Sequence, residues 1–376
     1  MYSFLLSSTT NLLIYFLGGF QVKKRKIGLA LSALLASGTL LAACGSDKGD
    51  ESKKSCSDKD KFSVAMVTDI GGIDDRSFNQ STWEGIEKFG EENGMKKGNG
   101  GFDYLQSASE SDYNTNLNNL VRRNFDLVYA VGFNLHDATS EVAKQQKDAK
   151  FAIIDSVIEG QDNVASIMFR ANEASYLAGA AAALQSKTGK IGFIGGVEGD
   201  IIGGFEAGFV AGAKAANPKV KIDIQYAGSF GDASKGQAIA KRMYDSGTDI
   251  IMHAAGGTGN GLFTEAKERK KKDAKADVWV IGVDRDQYDE GKVNDKTNIT
   301  LTSVLKRVDT AAEKVSKDTK DGKFPGGKTI TFGLKDKGVD LADDHGVFTD
   351  DTKKKIDEFK EKIISGDITV PEKPEK

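Results

Sequence analysis

The chain has 376 residues, 39% of them hydrophobic and 28% charged, with a formal net charge of −3. That is enough chain for two lobes of roughly 100–200 residues each, and it carries no global basic field of the kind a nucleic-acid partner requires. Cys44 and Cys56 are the two cysteines, and 320 residues follow Cys56 without another, so a disulfide framework for the folded body is excluded; with three histidines, a Cys/His zinc site has no basis either.

The chain opens on an apolar run from Leu5 to Leu17, ahead of a basic run, Lys23-Lys24-Arg25-Lys26. A further apolar stretch, Ile27 to Leu41, leads into Leu41-Ala42-Ala43-Cys44-Gly45-Ser46. At about 15 residues that stretch is short for a membrane span. Basic run, apolar run and small-residue cysteine together resemble a bacterial lipoprotein signal, in which Cys44 becomes the lipidated first residue after cleavage. Residues 1–43 are read as this signal, with translation expected to begin near Val22 and residues 1–21 expected not to be translated. Residues 44–61, rich in Ser, Asp, Lys and Gly, read as a flexible tether.

From residue 62 apolar runs alternate with helical patterns. Strands are predicted over 62–67, 102–105, 126–131, 151–155 and 164–169. Helices are predicted over 77–93, around Tyr113 to Val121, and over 136–147. An Ala-rich helix over 173–185 then opens a second series. Strands at 190–194, 222–226, 249–253 and 278–283 alternate with helices beginning at Phe205 and running over 233–246 and 260–271. Residues 300–304 form a strand that leads into a helix over 308–319. Two short strands near 328–334 and 339–342 and an amphipathic helix over 352–365 complete the chain. Such alternation signals parallel sheets with right-handed crossovers.

The second series repeats the first. Strand, Gly-rich loop and helix recur at 62–89 and 190–214, and Phe78 and Phe205 are each expected to open their helix. The fold class is therefore α/β, with two doubly wound parallel-sheet lobes joined by a hinge. Lobe 1 is assigned to 62–170 with a return near 285–305, lobe 2 to 171–284, and 306–370 to strands and helices that complete both. Ligands of open parallel sheets bind beyond the carboxyl ends of the strands. Asp69, Gly132, Asp155, Gly195, Gly228, Ala254 and Asp284 all lie just past predicted strands, so a cleft between the lobes gathers them.

No catalytic constellation is visible: there is no Gly-x-Ser-x-Gly elbow, no phosphate-binding Gly-Lys-Ser/Thr loop and no motif around His136, His253 or His345. Binding chemistry is better represented. Asp69, Asp137 and Asp284 are carboxylates at cleft loops, able to accept paired hydroxyls. Phe78 and Phe205 are placed to sandwich a planar base, with Phe230 the competitor for the second ring. Asn79 has the donor and acceptor that suit a base edge, and Lys306 is a further donor. Gly257, in Gly256-Gly257-Thr258-Gly259-Asn260-Gly261, lets backbone amides approach a ligand. Asp75 or Ser77 is expected to cap the helix that Phe78 opens.

The motif Asp69-x-Gly71-x-x-Asp74-Asp75-x-Ser77-Phe78-Asn79-Gln80-x-x-x-x-Gly85 closely resembles the opening of the basic membrane protein family. Further matches are Gly132-Phe133 with Asp137, Phe193-Ile194-Gly195-Gly196, Phe205-Glu206-Ala207-Gly208-Phe209-x-Ala211-Gly212, Ala255-Gly256-Gly257-Thr258-Gly259 and Ile281-Gly282-Val283-Asp284-x-Asp286-Gln287. The resemblance covers nearly all of the chain after residue 61. It implies a type I periplasmic-binding-protein fold, a nucleoside in the cleft, a base stacked on Phe78, a ribose held by Asp284, and Lys306 as a cleft lysine. Asp69, Asn79 and Asp137 match polar positions around the base. Residues 197–204 depart from the family's usual loop, where a Met-Asp pair and a proline are often found. The expected function is a non-enzymatic, lipid-anchored, extracytoplasmic receptor that captures nucleosides, purines in particular, for an ABC permease, without cofactor, metal or nucleic acid. A receptor of the same fold for a sugar, and a nucleoside-cleaving enzyme, are the alternatives.

Overall fold

The computed structural model describes residues 62–375. The signal segment, the tether and Cys44 lie outside the described residues. In the first half, β1 (Val64–Val67), β2 (Phe102–Leu105), β3 (Leu127–Val131), β4 (Phe151–Ile154) and β5 (Val164–Phe169) alternate with α1 (Phe78–Glu92), α2 (Tyr113–Arg122) and α3 (His136–Gln145). The second half begins with α4 (Ala171–Gln185) and continues through β6 (Lys190–Gly195), α5 (Asp200–Ala216), β7 (Lys221–Tyr226), α6 (Ala233–Asp245), β8 (Ile250–Ala254), α7 (Asn260–Lys272) and β9 (Trp279–Asp284). A small hairpin, β10 (Lys292–Asn294) with β11 (Thr297–Asn298), precedes β12 (Thr300–Lys306), α8 (Val308–Lys320), β13 (Thr329–Phe332), β14 (Val339–Leu341) and α9 (Asp350–Ser365).

These strands build two sheets of one design. The first has the order β2-β1-β3-β4-β5-β13, all parallel; the second has β7-β6-β8-β9-β12-β14, with β14 alone antiparallel. β1, β3 and β4 are buried along their whole length, as strands covered by helices on both faces must be. Strand order reverses between β1 and β3 in one lobe and between β6 and β8 in the other, which is where an open α/β sheet leaves a crevice.

Among the described residues the chain crosses between lobes three times. β5 hands over to α4 at Arg170 and β12 to α8 at Arg307, with nearly the same dihedral angles (φ −83°, ψ 60° and φ −78°, ψ 58°). The third crossing joins β13 of the first sheet to β14 of the second. Each sheet thus receives a helix or strand that follows a strand of the other lobe. This corrects one expectation: 285–305 is no return to lobe 1, because β12 pairs with β9 in the second sheet. The return is α8, which buries Val308, Ala311, Ala312 and Val315 in the core beneath α1. An apolar strand carries no mark of which sheet it will join, and only hydrogen-bond register decides it.

Close approach of α4 and α5 accounts for the Ala- and Gly-rich sequences there. A Cβ on Gly212 would lie 1.8 Å from the carbonyl oxygen of Tyr176, and one on Gly179 would lie 2.0 Å from that of Phe209. A second correction concerns the loop before α5. The helix begins at Asp200, so Phe205 sits in its second turn and does not open it. On α9, Ile356 and Ile363 are buried while Ile364 is 42% exposed.

Candidate functional site

A cavity lies between the lobes at the carboxyl ends of both sheets, enclosing about 500 Å³ between atoms, counting its opening to solvent. Lobe 1 contributes the loop between β1 and α1 together with Gly132, Phe133 and Asp155, and lobe 2 contributes Phe205, Phe230, Gly256, Asp284 and Lys306.

The β1–α1 loop is held by its own acids. The Asp75 carboxylate accepts the backbone N–H groups of Ser77 at 2.9 Å, Asn79 at 2.8 Å and Gln80 at 3.1 Å, so it caps α1. Ser77 takes no capping role; its hydroxyl donates across the cleft to Asp284. The Asn79 amide donates to Asp69 Oδ1 at 2.8 Å and to Asp75 Oδ2 at 3.0 Å, while its oxygen accepts the Asp69 N–H at 3.3 Å. Asn79 is therefore committed to orienting two acids and is not free to read a base edge. Asp69 Oδ1 also accepts the Gly71 N–H at 2.8 Å, which leaves Oδ2 as the acceptor available to a ligand.

Two further acids stand at matching places in the two sheets. Asp155 follows β4 and Asp284 ends β9, and both adopt left-handed backbone, with φ of 63° and 67°. That conformation costs an L-residue about 1–2 kcal/mol, least for Asn and Asp, whose short side chains bond locally. Between them lies the Lys306 ammonium at the end of β12, bonded to Asp155 and 4.0 Å from Asp284 Oδ1. All three side chains are buried. Burial pushes the Asp284 carboxyl up to about 6, against the pull of Lys306 and Ser77. Burial also raises Asp75 to about 6 despite its three backbone donors, and it raises Asp69.

Rings cover this array. The Lys306 ammonium is 4.4 Å from the centre of the Phe78 ring and 5.8 Å from that of Phe205. Phe230 also lines the cavity and meets Phe133 edge to face at 6.0 Å. Both second-lobe rings are thus present at the cavity wall.

Of the residues singled out from sequence, Asp69, Phe78, Asn79, Phe205, Asp284 and Lys306 line one cavity. Asp137 does not. It sits on the first turn of α3, fully exposed, paired with the neighbouring His136 at 2.8 Å. A short 3-10 turn, Phe133–Leu135, comes between β3 and α3, and Phe133 takes the place at the cavity. Gly257 lies just behind the wall, where its Cβ position is 3.3 Å from the Phe230 carbonyl oxygen, and Gly256 lines the cavity. Asp155, expected at the cleft only as a strand-end residue, Asp75, expected only as a helix cap, and Phe133 of the Gly132-Phe133 match also line the cavity. Asp155 carries the same signal as Asp284, an acid closing an apolar run, and pairing it with Lys306 requires the folded chain.

Residues 62–374 match the family described as ABC transporter substrate-binding protein PnrA-like. The chain is 56% identical over 359 residues to the CD4+ T-cell-stimulating antigen of Listeria innocua, covering 94% of this chain and 100% of that one. It is 49% identical over 357 residues to the ABC transporter nucleoside-binding protein BmpA of Lactococcus lactis, again covering 94% and 100%. Among solved structures, an ABC transporter system solute-binding protein from Aeropyrum pernix K1 superposes with a TM-score of 0.73 at 28% identity, covering 84% of this chain and 94% of that one. The two-lobed architecture is the type I periplasmic-binding-protein fold. With nearly all of its described residues matched, the chain belongs to the Bmp family of PnrA-like ABC transporter substrate-binding proteins.

Proposed function

We propose that this protein captures nucleosides, purine nucleosides in particular, in the cleft and delivers them to an ABC permease from the extracytoplasmic face of the membrane. The observation that carries this reading is the buried Asp155–Lys306–Asp284 array beneath Phe78 and Phe205. Four carboxylates, Asp69, Asp75, Asp155 and Asp284, line the cavity against one ammonium. Such a wall is rich in acceptors and suits a ligand that donates from vicinal hydroxyls, as a ribose does. It repels a phosphate, so a nucleoside is favoured over a nucleotide. The rings suit a flat base, whose stacking on an aromatic side chain contributes about 1–3 kcal/mol. The name of the Lactococcus relative supports the same ligand class.

Titration calorimetry with inosine, guanosine, adenosine, cytidine and ribose tests the ligand. Purine nucleosides are expected to bind and ribose alone is not; no heat from any nucleoside at high concentration would falsify the class. Phe78→Ala is expected to weaken inosine binding by roughly 5- to 150-fold, the equivalent of about 1–3 kcal/mol of stacking. Affinity equal to the parent's removes Phe78 from the base site.

A lipid on Cys44 is proposed to hold the protein at the membrane. Supporting this is the signal-like run before it. Mass spectrometry of the amino-terminal peptide from the membrane fraction is expected to find acylated Cys44, and an unmodified Cys44 there refutes the anchor.

A further inference from the structure

The motif from Ile281 to Gln287 ends in a glutamine that does not line the cavity, yet Gln287 is buried and hydrogen-bonded through its backbone and both ends of its side-chain amide. Its backbone N–H donates to Ser303 Oγ at 3.0 Å, and its carbonyl accepts from Thr300 Oγ1 at 3.2 Å. Its side-chain oxygen accepts the Val283 N–H at 2.9 Å and faces His253 Nε2 at 2.9 Å. All of these partners belong to lobe 2. The remaining bond does not: the amide nitrogen donates to the backbone carbonyl of Arg76, in the β1–α1 loop of lobe 1, at 2.9 Å.

The amide cannot be turned round without losing this arrangement. A backbone N–H has only a proton to offer, so Val283 fixes which end of the Gln287 amide is oxygen. The oxygen in turn demands a proton on His253 Nε2. His253 is fully buried and neutral, since burial pushes it down to about 4, so its single ring proton sits on Nε2. The ring is boxed in on its other side, where a Cβ on Gly259 would lie 2.1 Å from Nδ1. The acceptor in lobe 1 is equally constrained. Arg76 is held in left-handed backbone at φ 58°, between Asp75, which caps α1, and Ser77, which donates to Asp284. Exposed ion pairs flank the seam, Arg76 with Glu290 and Arg285 with Glu84.

We infer that Gln287, oriented by His253 and the Val283 N–H, is the latch of the closed form. It grips the lobe-1 loop through the Arg76 carbonyl and so sets how long a ligand stays in the cleft. The latch touches no ligand. It acts by holding the Asp75–Asn79 segment against lobe 2, and it is a positioning residue. Opening the lobes breaks this half-buried bond between neutral groups together with the Ser77–Asp284, Asn260–Asp75 and Lys306–Asp155 bonds, while ligand entry into the open form does not involve it.

The test compares the parent with Gln287→Met, which keeps the side chain's length and shape and has no donor. Stopped-flow measurement with inosine is expected to show dissociation faster by about tenfold and association unchanged within about twofold, the kinetic equivalent of one buried hydrogen bond. Hydrogen–deuterium exchange of the ligand-free protein is expected to quicken in 74–80 of lobe 1 as well as in 284–291 of lobe 2. Dissociation unchanged from the parent, or faster exchange confined to 284–291, shows that Gln287 only fastens its own loop and overturns the latch. The kinetic arm rests on the nucleoside reading and the exchange arm does not, so a parent that binds no nucleoside refutes that reading while 74–80 still decides the latch. If the Met variant does not fold, Gln287→Leu, likewise without a donor, takes the same two measurements.

Discussion

Lys306→Met is expected to lower the unfolding free energy by about 3–5 kcal/mol at about pH 8, the usual cost of removing one partner from a buried ion pair. The lysine stem is replaced by an apolar chain of similar length, so packing is largely kept. What is lost is the cation between Asp155 and Asp284. The deficit carries a pH signature. The Asp284 carboxyl stands at about 6 in the folded parent, above the ordinary aspartate range, because burial outweighs Lys306. An acid raised by folding contributes stability that is present below its unfolded value and lost as pH rises through its folded value. Removing Lys306 takes away the largest influence that lowers Asp284, so its folded value rises further and the loss extends to higher pH. The variant is therefore expected to lag the parent most at about pH 8 and to recover much of the difference at about pH 5, where the Asp284 carboxyl takes up a proton. Urea denaturation of both proteins at the two pH values measures this, and an equal deficit at both would assign the role of Lys306 to packing.

Gly212→Ala should be the most damaging single methyl in lobe 2, with a cost of about 3 kcal/mol or more. The added carbon would lie 1.8 Å from the Tyr176 carbonyl oxygen and 2.6 Å from its carbonyl carbon. These are backbone atoms of α4, which no rotamer change can move aside. α5 would have to leave α4, and α4 starts one residue after the Arg170 crossing. Phe205 lies on α5 and its carbonyl accepts from Ser175 of α4 at 2.6 Å, so the second-lobe ring would shift with the helix. Gly204→Ala is the control on the same helix, since the nearest atom to its added carbon is 3.5 Å away. Thermal denaturation is expected to separate the two variants clearly. Similar melting temperatures would mean that the α4–α5 contact yields.

The Phe78 loop shows what can be read from residues in order. An apolar run, two glycines, acids and a helical pattern state a strand, a turn and a capped helix, because each of those signals is local. The αβ alternation likewise states parallel sheets and a cleft at their carboxyl ends, since the crossover rule leaves few other topologies. For the same reason Asp69, Phe78 and Asp284 could be placed at loops of one cleft. Asp137 shows the limit. One short turn after β3 puts Phe133 at the cavity and carries Asp137 to the surface, a shift of one helical turn that periodicity does not register.

Residue order alone is enough for the alternation, the two-lobed class, the family resemblance and most of the polar and aromatic residues at the cleft. Tertiary structure decided the rest: that β12 belongs to lobe 2 and α8 to lobe 1, that Asn79 is spent on holding Asp69 and Asp75, that Lys306 joins Asp155 to Asp284, and that Gln287 reaches Arg76. The physical reason is range. Strand, turn and cap depend on a few neighbouring residues, whereas a strand's sheet and a buried group's partner depend on residues far apart in sequence, as with Lys306 and Asp155, which the chain brings together only when both sheets have formed.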